Sequence, residues 1–105
     1  MANIRQLMKM GQQLQDKIKE VQDGLQSEEL VASSGGGMVT ARVTGKGDLK
    51  SITIDPEVID PEDAEMLEDL VVAAVAEAQN RARDFSEEQM RGAAGGLPVQ
   101  LPGLF

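Results

Sequence analysis

Apolar residues stand at Ile4, Leu7, Leu14, Ile18, Val21 and Leu25, three and four places apart, with Gly11 holding the one empty place in the series. That alternation is the a/d spacing of a helix whose narrow apolar seam is made to meet another helix. Arg5, Gln6, Lys9, Gln12, Gln13, Gln15, Asp16, Lys17, Lys19, Glu20 and Gln22 fill the other faces, which are therefore solvated. A helix over residues 4–25 is roughly 33 Å long, longer than any strand the rest of the chain can build. Part of the seam needs cover from a second helix, of this chain or of another copy.

Beyond this helix the period changes. Residues 30–34 suit a short strand, and Gly35-Gly36-Gly37 a loop free to take positive φ at a hairpin or bulge. Val39, Ala41 and Val43 alternate with Thr40, Arg42 and Thr44, as in a half-buried strand. After the turn Gly45-Lys46-Gly47-Asp48, residues 49–55 alternate again, with Ile52 and Ile54 on one face. Together these form a small antiparallel meander. Asp55-Pro56-Glu57 opens a single turn through Val58 and Ile59. A capping Asp60, Pro61 at the first helical position and the acids Glu62, Asp63 and Glu65 then start a second long helix. Its buried stripe is Leu67, Leu70, Val71, Ala74, Val75, Ala78, Ala82 and Phe85, at period 3.6. It is expected to end near Met90 or Arg91, although Ser86-Glu87-Glu88 could also cap a fresh helix.

The fold class that follows is α+β, a small three-stranded antiparallel sheet with two long helices. A single domain is expected over residues 1–91, followed by a Gly/Pro-rich tail over 92–105. Two readings of the tail stand side by side. Either it is disordered, or Leu101, Leu104 and Phe105 dock on a partner.

Composition narrows the function. A chain of 105 residues has room for one domain, of a size that often gains stability by oligomerising. Without cysteine or histidine it has no thiolate nucleophile, no cysteine zinc site and not the commonest general base. The phosphate-loop pattern asks for glycine where Thr40 stands and for Ser or Thr where Gly47 stands, so the Gly45-Lys46-Gly47 turn does not match it. The carboxylates lie mostly at helix starts and on polar faces, where capping and solvation explain them. We therefore expect no enzyme, no catalytic residue, no metal and no cofactor. No apolar run approaches a membrane span, and the start shows no signal-peptide core, so a cytoplasmic protein without a membrane partner is expected.

Net charge is −8, which as a whole repels nucleic acid. The charges are nevertheless segregated. With the helices tied to the sheet by their inner ends, the free ends hold Arg5, Lys9, Arg81, Arg83 and Arg91. Glu57, Asp60, Glu62, Asp63, Glu65, Glu68 and Asp69 gather at the sheet end. The helix dipole accounts for cations near a C-terminus but not for Arg5 and Lys9 near an N-terminus. Base stacking is almost unavailable, because Phe85 and Phe105 are the only aromatics.

Several segments in order resemble the YbaB/EbfC family of small bacterial nucleoid-associated proteins. They are the Gln-rich opening helix with Leu7-Met8-Lys9-Met10, Gly35-Gly36-Gly37-Met38-Val39, Ile54-Asp55-Pro56, and Met66-Leu67-Glu68-Asp69-Leu70-Val71-Val72-Ala73-Ala74, with the apolar tail ending in Phe105. The resemblance implies a tweezer-like homodimer in the nucleoid that binds double-stranded DNA with little sequence preference through its two long helices. Carried onto this chain, the implied DNA-binding positions are Arg5, Lys9, Lys17, Arg81, Arg83 and Arg91. Leu14, Ile18, Val21, Leu25, Val39 and Val43 are the expected interface and packing positions. The alternative is an interaction adaptor for a DNA repair or recombination protein, using the acidic faces or the tail.

Overall fold

The computed structural model describes residues 3–95. A long helix, α1 (Ile4–Ser27), leads into three strands, β1 (Glu29–Ser34), β2 (Val39–Thr44) and β3 (Leu49–Ile54), and a single 3-10 turn (Pro56–Val58) precedes a second long helix, α2 (Ala64–Gly95). The strands form an antiparallel meander in the order β1-β2-β3. Ala32 faces Ala41 and Ser34 faces Val39 across the first pair, while Ala41 faces Ile52 across the second. This register puts Ala32, Val39, Ala41, Val43, Ile52 and Ile54 on one face, as the period of two requires.

Helix α2 lies across that face over β1 and β2. Ala74, Ala78 and Ala82 are buried at the contact, flanked by half-buried Leu67, Leu70, Val71 and Val75. Small side chains at four-residue spacing let the helix backbone come close to the sheet. The consequence is a thin core. Among the described residues the largest fully buried side chains are Val39 and Val43. Both belong to the core of the single chain, the packing role expected of them.

The second helix differs from expectation at both ends. Asp60 accepts from the Glu62 N–H at 3.0 Å, so it and Pro61 serve a turn instead of the helix. The cap is Asp63, whose carboxylate accepts from the Met66 N–H at 3.3 Å, the bond an N-cap side chain makes to the third helical residue. At the other end α2 runs through Ser86-Glu87-Glu88 without a break and on to Gly95. Ala93 and Ala94, strong helix formers, outweigh Gly92 there. Of the expected tail over residues 92–105, residues 92–95 continue α2, and 96–105 lie outside the described residues.

The whole is elongated. Its principal extents are 73 × 25 × 16 Å and its radius of gyration is 20.0 Å, where a compact chain of this length has about 13 Å.

Candidate nucleic-acid interface

Helix α1 is fixed at one end only. Asn3 caps its start, accepting from the Arg5 N–H at 3.0 Å. At its end the Gly45 N–H donates to the carbonyls of Leu25 at 2.8 Å and Glu28 at 3.1 Å. Leu25 is buried there, and Ile18 and Val21 are half-buried. Phe85 and Gln89 of α2 line a groove with Val21 and Leu25, and Gly92 lines it with Lys17. The last turns of α1 therefore run beside the last third of α2. Every residue from Asn3 to Lys17 is exposed. The seam that the apolar spacing defined is thus half covered by α2 of the same chain and half bare, with Ile4 72% and Leu7 57% exposed and Leu14 exposed as well.

This bare half is a cationic arm. Between residues 4 and 17 it holds Arg5, Lys9 and Lys17 against the single acid Asp16. The positive end of the helix dipole lies at the same tip, so side-chain and backbone charge add. Arg5, Lys9 and Lys17 make no ion pair among the described residues. At the opposite end of the sheet, the stretch from Asp55 to Asp69 has eight acids and no cation, so that end repels a polyanion.

The α2 cations divide. Arg83 and Arg91 are exposed and unpaired among the described residues. Arg81 does not lie at a free end. It sits over the sheet, donating from Nη1 to the Val31 carbonyl at 2.6 Å and from Nε to Glu77 at 3.4 Å. Arg81 thus occupies a carbonyl on edge strand β1 while already committed to a carboxylate. Arg42 and Lys50, on the outer face of the sheet, both pair with Glu29, at 3.3 and 3.2 Å. Among the described residues no three acids converge as metal ligands would, and no helix is long and apolar enough to cross a membrane.

The geometry defines a class: a two-layer α+β protein with an acidic body and a projecting cationic helix. The chain belongs to the YbaB/EbfC DNA-binding family, whose pattern matches residues 1–97. Relatives named nucleoid-associated protein include one from Acetivibrio thermocellus, 46% identical over 103 residues, covering 98% of this chain and 90% of that protein. Another, from Afipia carboxidovorans, is 45% identical over 104 residues and covers 99% of this chain and 97% of its own. The crystal structure of an uncharacterized protein from Helicobacter pylori is similar with a TM-score of 0.61 at 21% identity, covering 81% of this chain and 94% of that one. That likeness bears on the fold alone. The family is one of nucleoid-associated DNA-binding proteins, not of enzymes.

Proposed function

We propose that this protein binds duplex DNA in the cytoplasmic nucleoid as a homodimer, with little sequence preference, through phosphate contacts from its helices. The observation that carries the reading is the α1 arm, where Arg5, Lys9 and Lys17 are exposed and, among the described residues, without ion-pair partners, in an otherwise acidic protein of a DNA-binding family. Arg83 and Arg91 extend the contact along α2. Arg81 serves the sheet edge. With no Trp or Tyr to stack on bases, charge neutralisation at the backbone is the contact chemistry available, and it carries no sequence information by itself.

What one chain leaves bare supports the homodimer. Its core is built mainly from valines and alanines, while Ile4, Leu7 and Leu14 on α1, Leu49 on β3 and Ile59 after the 3-10 turn stay exposed. Covering a side chain of this size contributes about 1.5–3 kcal/mol, so a second copy seated on the Leu14 half of the seam adds the core that one chain lacks.

Duplex binding measured by gel shift at low salt tests the proposal. With roughly four to eight phosphates engaged, log affinity should fall against log salt with a slope of about −4 to −7. Replacing Arg5 and Lys9 with Glu should abolish retardation while sedimentation still reports a dimer. Absence of retardation by the wild-type protein at micromolar concentration would remove the DNA reading.

A further inference from the structure

A second cationic place lies away from the arm, where the turn between β2 and β3 meets α2. We infer that Lys46 and Arg83 together form a phosphate-binding groove that takes a phosphodiester of the DNA backbone, and that Glu87 weakens it. This rests on the DNA reading above but concerns different atoms.

The turn is held firmly. Thr44, itself buried, accepts at Oγ1 from the Lys46 and Asp48 N–H groups, both at 3.2 Å. Gln79 of α2 donates to the Gly47 carbonyl at 3.2 Å, tying the turn to the helix. One turn further along α2 comes Arg83, then Ser86 and Glu87, at the three- and four-residue steps that share a helix face. Lys46, Arg83, Ser86 and Glu87 therefore line one open groove of ≈ 410 Å³, together with Gly45 and Gly47 of the turn.

Each part suits a phosphate group. Lys46 is a compact charge on a flexible stem, and Arg83 presents a planar fork of donors. Neither forms an ion pair among the described residues, whereas Arg42, Lys50 and Arg81 all do. The Ser86 hydroxyl adds a neutral donor beside them. Two cations with no carboxylate within pairing distance among the described residues, lining one open groove, are left with charge for an anion from outside. Glu87, which lines the same groove, opposes that anion and keeps the site weak. Along α2, Arg83 stands about 12 Å from Arg91, so the groove would lengthen the footprint from the helix ends towards the sheet. Lys46 is absent from the sequence-based expectation because only the fold brings the turn to this face of α2.

The test uses the full chain and a fluorescent duplex, with anisotropy read across a salt series. Replacing Lys46 or Arg83 with Gln should weaken binding about two- to five-fold each, the scale of an exposed ion pair, and reduce the salt slope by about one per contact. E87Q should strengthen binding at low salt. All three positions are exposed, so melting temperatures should stay at the wild-type value. If K46Q and E87Q both bind as wild type while the Arg5 and Lys9 reversal abolishes binding, the groove inference falls and the DNA reading stands. If the wild type binds no duplex, both fall. Titration with inorganic phosphate separates the two sources of this chemistry. Saturation at low millimolar phosphate, with duplex affinity unchanged in K46Q, would assign the groove to a free anion and overturn the inference.

Discussion

Gly45 is where the arm is joined to the sheet, and Gly45→Ala tests that joint. A Cβ built at this position lies 2.6 Å from the Leu25 carbonyl oxygen and 3.0 Å from the Leu25 Cα. Both are backbone atoms of α1, so no side chain can swing aside; the helix end or the turn has to move. Such overpacking costs about 1–3 kcal/mol. The movement also stretches the bonds from the Gly45 N–H to Leu25 and Glu28, worth about 1 kcal/mol together as a shared donor. A total of about 2–4 kcal/mol corresponds to a fall in Tm of roughly 8–30 °C for a domain of this size. Thermal unfolding followed by far-ultraviolet circular dichroism reads it directly. Gly24→Ala is the matched control, one residue from Leu25, where an added Cβ meets nothing within 4 Å. Removing a glycine from a helix interior there should raise stability by about 0.5–1 kcal/mol. Opposite signs from the two substitutions support the joint. A Gly45→Ala protein that melts with the wild type would refute it, because the backbone clash would then have been relieved at no cost.

Three further outcomes follow from the same contacts. Asp63→Ala should cost about 1 kcal/mol by denaturant unfolding, and more than Asp60→Ala, because Asp63 caps the helix proper; equal costs would return the helix start to Pro61. Arg81→Ala removes the bond to the Val31 carbonyl and frees the β1 edge. It should raise aggregation in light scattering and leave the DNA salt slope unchanged, whereas a slope lower by about one would make Arg81 a phosphate contact. Leu14→Glu puts a charge in the bare half of the seam and should shift sedimentation towards the monomer mass. A dimer of undiminished affinity would place the second copy elsewhere.

Much of the fold could be read from periodicity because the two helices and the meander each bury one face. The strand alternation Val39-Ala41-Val43 and the α2 stripe from Leu67 to Ala82 appear in the structure as the facing layers of one core, while Phe85 lines the groove against α1. The ends of α2 were harder to place for a local reason. Asp60 and Asp63 are three residues apart and both carry cap chemistry, so the choice between them depends on how the chain leaves the 3-10 turn. At the far end, glycine at position 92 reads as a stop, yet the alanines that follow are enough to carry the helix on.

The cationic positions were legible only in part, because sequence gives a charge its place along a helix but not what lies beside it. Arg81 and Arg83 are near neighbours in sequence but about 200° apart around α2 at 100° per residue. One consequently meets the sheet edge and Glu77, and the other meets the β2–β3 turn. The α1 arm is the opposite case. From Asn3 to Lys17 it is exposed and makes no ion pair among the described residues, so its sequence and its surface carry the same information. Screening at physiological salt acts over about 8 Å, which is short beside an arm that rises roughly 20 Å from Lys17 to Ile4. An approaching phosphate at the tip therefore responds to Arg5 and Lys9, and the acids around Asp60, at the far end of a 73 Å molecule, are screened from it. Net charge is a poor guide to binding for a protein of this shape, and the arm can be cationic at the range where contacts form.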